Sequence, residues 1–241
     1  MNNDLFHDKA NGTMTGTVIA ESASTLMRKV FTWMFVALGI TALTAWFFAS
    51  SGMIRLLYTD TGMSGLGWIV TLCPFIMIIA MSLGLHKMST STLTLLFVFY
   101  SVLMGMSLSY IFLLYSGSSL TKTFLITSGM FGAMAIAGYT TQMDLSRFGS
   151  ILFMALIGLI IASIVCLVTH STRAEWIVSI FGVLIFAGLT AWDVNNIRRM
   201  SSYVDEGMED FRKMAIYCAL SLYLDFINLF LYLLRFFGRN E

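Results

Sequence analysis

The sequence predicts an all-α integral membrane protein, a bundle of seven transmembrane helices. Three observations carry the prediction. Hydrophobic residues fill 58% of the 241 positions. Charged residues fill 11%, against about 25% in an ordinary soluble domain, too few to cover the surface of a water-soluble chain of this length. The apolar residues also fall into seven stretches, each near the ~20 residues that cross ~30 Å of hydrocarbon as a helix. These are about 30–51, 66–85, 93–115, 123–141, 148–169, 176–197 and 214–237. They are too long and too evenly apolar for barrel strands, which alternate over ~10 residues. Helices satisfy every backbone group within the segment itself.

The elements follow in order. Residues 1–29 are polar and lack a basic start followed by an apolar core. They do not read as a signal peptide, so the first apolar run is expected to remain as a span. This segment holds Asp4, His7, Asp8 and Lys9 and is expected to be solvated coil, with a partner handle as the alternative. The second span contains Pro74, the chain's one proline, which frees a backbone carbonyl and is expected to kink the helix. Ser101, Gly105 and Ser109 recur every four residues in the third span. So do Gly129, Ala133 and Ala137 in the fourth, and Gly158 and Ala162 in the fifth. Small residues at that spacing let helices approach closely in lipid, so all three sets are expected at helix contacts. Short connections point to one helical domain, 30–237, followed by a short tail, 238–241.

Orientation is read from Lys and Arg in the connections. The side holding the N-terminus carries Lys9, Arg28, Lys29, Lys87, Arg147, Arg198, Arg199, Arg212 and Lys213, nine in all. The other side carries five, Arg55, Lys122, Arg173, Arg235 and Arg239. A cytoplasmic N-terminus is expected. The formal net charge of +1 gives no basic field for nucleic acid. Cys73, Cys166 and Cys218 lie inside apolar runs and read as packing residues, with no disulfide or metal framework. No Gly-rich phosphate loop is present, and no organic cofactor is expected. Gly62-Met63-Ser64-Gly65 matches a rhomboid-protease pattern, but it falls in a loop and reads as ordinary turn chemistry.

The charges left inside spans point to function. Asp225 is nearly central in the seventh span, eleven residues from Met214. Aspartate is too short to snorkel, and at that depth it costs about 3 kcal/mol on insertion scales. It must be neutralised, paired or set against water. Ser221, Asp225, Asn228, Tyr232 and Arg235 are spaced four, three, four and three, one stripe on an otherwise apolar helix. The stripe is expected to face the bundle interior, with Arg235 near the helix end as an interfacial anchor. Thr190, Asp193 and Asn196 make a matching row in the sixth span. Spans six and seven are consecutive, so the two aspartates can meet at similar depth. Two carboxylates in low dielectric do not readily both ionise, and the pair is expected to share a proton and titrate as a unit. Ionised, it offers hard oxygen ligands for a divalent cation such as calcium. An interhelical clasp without ion traffic is the plainer alternative.

The run ALSLYLDFINLFLYLLRFFG, residues 219–238, closely resembles the C-terminal signature of the Bax inhibitor-1 family of membrane proteins. AWDVNNIRRM, residues 191–200, resembles the family's aspartate motif at the end of the sixth helix, with Trp192 where tyrosine is usual. The resemblance implies a last helix at the centre, wrapped by the other six. It implies a pH-sensitive calcium leak in which Asp193 and Asp225 form the sensing pair and transient calcium ligands. In relatives an arginine near the end of the second helix helps close the pore. Residues 80–88 read AMSLGLHKM and hold no arginine, which leaves His86 or Lys87 as substitutes or the latch missing.

Two rival readings stand beside the leak. The family is also linked to suppression of cell death and, in bacteria, to modulation of a membrane-bound protease. A non-transporting regulator, with a membrane protease or other membrane protein as partner, is therefore the alternative. An intramembrane aspartyl protease would also place one Asp on each of two adjacent helices. Its Gly-x-Gly-Asp motif is replaced here by Leu222-Tyr223-Leu224-Asp225, and its proline motif is missing, so no enzymatic activity is expected. The host is expected to be a bacterial inner membrane.

Overall fold

A computed structural model describes residues 4–59, 62–85, 87–141, 143, 145–169, 172–200 and 209–238, with the backbone alone described over 4–22. Helix α1 runs Asp4–Ser50. The polar segment expected as coil is therefore helical in its backbone from Asp4. An apolar span supplies the costly nucleus, and each added residue then contributes one more hydrogen bond. Gly52, at φ +72°, ends the helix in a left-handed turn that a side chain would strain. A 3₁₀ turn, Met53–Leu56, follows. Strands β1 (Tyr58–Thr59) and β2 (Gly62–Met63) then pair antiparallel and close the connection.

Helix α2, Gly65–Gly84, starts at a Ser64 cap whose Oγ accepts from the Gly67 N–H at 3.1 Å. It continues through Pro74, whose ring is buried. Helix α3, Thr90–Leu108, is capped by Ser89. The third span was expected to be unbroken, yet it turns at Ser109 before a single-turn helix α4, Ile111–Leu114. The Ser109 hydroxyl donates to the Met106 carbonyl at 2.6 Å, and its N–H bonds that same carbonyl at 3.2 Å. Local bonds of this kind compete with the helical ladder. The remaining helices are α5 (Gly117–Thr140), α6 (Ser146–Thr169), α7 (Thr172–Met200) and α8 (Glu209–Phe237).

Seven spans among the described residues are long and apolar enough to cross a membrane: α1 from Ala23, α2, α3 with α4, α5, α6, α7 and α8. The last helix is the core of the bundle. Of its most apolar stretch, 61% is buried, against 6% for α6. It packs on α1, α3, α5 and α7, while α2 lies chiefly on α3 and α6 chiefly on α7. The wrapping is thus unequal, with four helices in an inner ring and two outside it. Leu222, Tyr223 and Leu229 of α8 are fully enclosed. At the N-terminal side the Glu209 carboxylate accepts from the Thr90 N–H at 3.3 Å and pairs with Lys213 at 3.3 Å. An anion at the start of α3 complements the helix dipole.

The small-residue rows divide. Ser101, Gly105 and Ser109 are all buried. A Cβ on Gly105 would lie 2.6 Å from the Thr41 carbonyl oxygen, so α1 and α3 meet there backbone to backbone. Gly129, Ala133 and Ala137 are exposed, which corrects the expectation of a helix contact. The inward face of α5 is instead Thr127, Phe131, Ala135 and Gly138. Gly158 is also exposed, and Ala162 is half-buried. A four-residue spacing marks a face without saying which face the bundle uses.

Gly105→Val is expected to cost about 1–3 kcal/mol through overpacking against α1. Gly129→Val on the outer face is expected to stay within about 0.5 kcal/mol. Unfolding in detergent micelles compares the two.

Candidate functional site: an aspartate pair between α7 and α8

Asp193 lies seven residues before the end of α7 and Asp225 near the middle of α8. The two helices are consecutive, antiparallel and heavily packed on each other. Both side chains are buried, Asp193 at 9% and Asp225 at 5% exposure. The two carboxyl groups face each other across the α7–α8 seam, close enough to interact directly. Ser221, one turn before Asp225 on α8, donates its hydroxyl to Asp193 Oδ2. Asp225 Oδ2 is buried and has no hydrogen-bond partner. A buried acceptor left unpaired costs about 1–3 kcal/mol, so this oxygen is available to a proton or a cation.

The rest of the stripe is placed as follows. Asn228 donates to the Leu224 carbonyl of its own helix at 2.8 Å. Thr190, fully buried, donates to Phe186 of its own helix at 2.8 Å. Both bond to carbonyls of their own helices and extend the polar seam. Tyr232 stacks on Phe186 of α7 with ring centroids 5.8 Å apart. A Cβ on Gly182 would strike its ring at 2.6 Å, so the glycine makes that seat. The Tyr232 hydroxyl lies 3.4 Å from Ser163 Oγ of α6. Arg235 is exposed, its guanidinium 5.9 Å from the Tyr232 ring centroid. Trp192 turns away from the pair toward α6, where a Cβ on Gly149 would meet its indole at 2.6 Å. Lys87 is exposed in the turn after α2. His86, His170 and Arg239 lie outside the described residues, as do the side chains of His7 and its neighbours.

Sequence reasoning chose Asn196 on α7, which is half-buried. The buried amide is its neighbour Asn195, which donates to the Gly138 carbonyl of α5 at 3.1 Å. Arg198 donates to the Tyr139 carbonyl, and Arg199 to the Met143 carbonyl at 3.1 Å. The last carbonyls of a helix have no partner in their own ladder; Asn195 and Arg198 supply donors for two of those at the end of α5, and Arg199 reaches the connection just beyond it. Gly138 lets the α7 backbone at Ala191 come into contact. The signal was present in the sequence: Asn195, Arg198 and Arg199 are spaced three and four, one face of a helix. On the opposite face of α8, Thr41 Oγ1 donates to the Ser101 carbonyl at 2.9 Å and meets the Tyr223 hydroxyl at 2.7 Å. Tyr223 also sits edge-on to Tyr100 and Phe97. The pair is thus held from behind on both sides.

Two carboxyls and a serine hydroxyl offer hard oxygens, fewer than the 6–8 a calcium ion takes in a closed site. Among the described residues no group of three or more His, Cys, Asp or Glu converges.

Asn195→Ala is expected to lower stability by about 1–3 kcal/mol, since the Gly138 carbonyl is left buried and unpaired. Asn196→Ala, one residue on, is expected to lose less. Denaturant titration in micelles reads the difference.

Comparison with known proteins places the chain. A family model described as inhibitor of apoptosis-promoting Bax1 matches residues 23–241. The inner membrane protein YbhL of Escherichia coli K12 is 44% identical over 218 residues, covering 90% of this chain and 92% of that protein. An uncharacterised protein of Borreliella burgdorferi is 44% identical over 215 residues, covering 89% and 92%. One from Rickettsia prowazekii is 41% identical over 215 residues, covering 89% of each. The seven-helix bundle with its buried aspartate pair therefore belongs to the Bax inhibitor-1 family.

Proposed function

We propose that the chain is a pH-sensitive calcium leak in a bacterial inner membrane, with Asp193 and Asp225 as its gate and transient cation site. The observation that carries the reading is the contact between two buried carboxyls with one oxygen, Asp225 Oδ2, left unpaired. While the pair holds one hydrogen it carries one negative charge. Loss of that hydrogen puts two anions face to face in low dielectric, a state that repels itself unless a cation enters. A divalent ion neutralises the doubly ionised pair. Proton and calcium then compete for the same oxygens, so acidification displaces calcium. The inner-membrane placement draws on the name of the YbhL relative. The cytoplasmic N-terminus rests on the nine-to-five distribution of Lys and Arg. In this reading the chain is not an enzyme and carries no organic cofactor.

Regulation of a membrane protease without transport is the alternative. It would act through a protein surface and leave the pair as a clasp. Reconstitution in liposomes separates the two. The wild type is expected to pass calcium at a rate that changes with pH, and Asp225→Asn and Asp193→Asn are each expected to reduce the flux and flatten that pH dependence. Flux and pH dependence unchanged in Asp225→Asn would remove the pair from the pathway. No flux in the wild type would favour the regulator.

A further inference from the structure

Helices α1 and α5 both pack on α8, yet they do not pack extensively on each other. Between them opens a cleft of about 420 Å³, within the size range of small-molecule sites. Leu38 and Ala42 of α1 form one wall and Leu120 and Phe124 of α5 the other, with Phe226 and Phe230 of α8 as the floor. Phe226 sits edge-on to Phe124 and Phe131, with centroids 5.7 and 5.4 Å away. That ring cluster closes the end of the cleft nearer the N-terminal side.

The chemistry of the lining is specific. Two hydroxyls border the cleft, Thr41 and Thr121. The Thr41 hydrogen is taken by the Ser101 carbonyl, so the Tyr223 hydroxyl donates to the remaining side of Thr41 Oγ1. Thr121 donates to the Gly117 carbonyl of its own helix at 2.9 Å. Neither offers a free hydrogen, so a water here would not find the 2–4 polar partners it needs. The rim is exposed at Ala42 and Phe124, and both lie in spans long and apolar enough to cross a membrane. What borders that rim in a bilayer is hydrocarbon.

We propose that the α1–α5 cleft is a phospholipid site, in which one acyl chain lies on Phe226 and Phe230 of α8. The occupant is hydrocarbon because the wall is apolar apart from two threonine hydroxyls whose hydrogens are already committed. It is a phospholipid chain because the cleft opens sideways into the bilayer along two membrane-spanning helices. The site is independent of the aspartate pair and of calcium passage.

The full chain, purified in detergent and incubated with mixed micelles of palmitoyl-oleoyl phosphatidylglycerol, tests this by native mass spectrometry. The wild type is expected to retain one phosphatidylglycerol through detergent exchange. Ala42→Phe and Thr121→Phe fill the cleft from opposite walls at exposed positions, and each is expected to cut retention at least five-fold. Leu43→Phe adds a ring on the neighbouring exposed position outside the cleft and is expected to retain lipid as the wild type does. Added phosphatidylglycerol is expected to raise the thermal midpoint of the wild type and of Leu43→Phe, and to leave the two filled variants unchanged. Retention equal in all four proteins, or none in the wild type, overturns the site. A free fatty acid as the retained species overturns the assignment to phospholipid. A photo-crosslinking benzoylphenylalanine at position 121, used in intact membranes, is expected to add the mass of a lipid. Capture of a second protein chain there instead overturns the proposal.

Discussion

The contact between the carboxyls of Asp193 and Asp225 is the constraint around which the bundle is arranged. Either acid alone inside a membrane is expensive. In the proposed reading the two share one hydrogen and present a single charge. That solution works only while α7 and α8 hold one register. Ser221 contributes from α8 by donating to Asp193, so three side chains on two helices depend on one alignment.

The surrounding packing keeps that alignment. On the far side of α7, donors at Asn195, Arg198 and Arg199 engage the carbonyl end of α5 and the connection just beyond it. On the far side of α8, the Tyr223 hydroxyl meets Thr41 among the rings of Tyr100 and Phe97. Farther along the seam, Tyr232 lies on the flat seat made by Gly182. In lipid there is no water to drive helices together, so close packing and interhelical hydrogen bonds must do so. The bundle concentrates both around α8 and leaves α6, with its outward apolar face, to the solvent of lipid tails. Membership of the Bax inhibitor-1 family accords with this arrangement, and uncharacterised relatives at 41–44% identity share nearly the whole length.

Hydropathy and length made the seven spans readable from the sequence, because a bilayer imposes one secondary structure and one length. Asp193 and Asp225 were readable as partners for a similar reason: two acids on consecutive spans have few other ways to be accommodated. The finer placements were not. Gly129, Ala133 and Ala137 share the spacing of Ser101, Gly105 and Ser109, but one row faces out and the other in. Lipid is as apolar as a helix face, so composition does not distinguish the two surfaces. Asn195 and Asn196 are adjacent and chemically identical, and only the rotation of α7 decides which reaches α5. The break at Ser109 depends on a hydroxyl turning back on its own helix, a local choice invisible to an apolar average.

Infrared spectroscopy of the protein in lipid nanodiscs tests the central claim, that the two carboxyls share one hydrogen. At neutral pH the account predicts one protonated-carboxyl band, assigned to the pair because Asp193→Asn and Asp225→Asn each abolish or shift it, and removed as the pH is raised. A band that survives unchanged in both variants, or two aspartates that titrate independently, would contradict it.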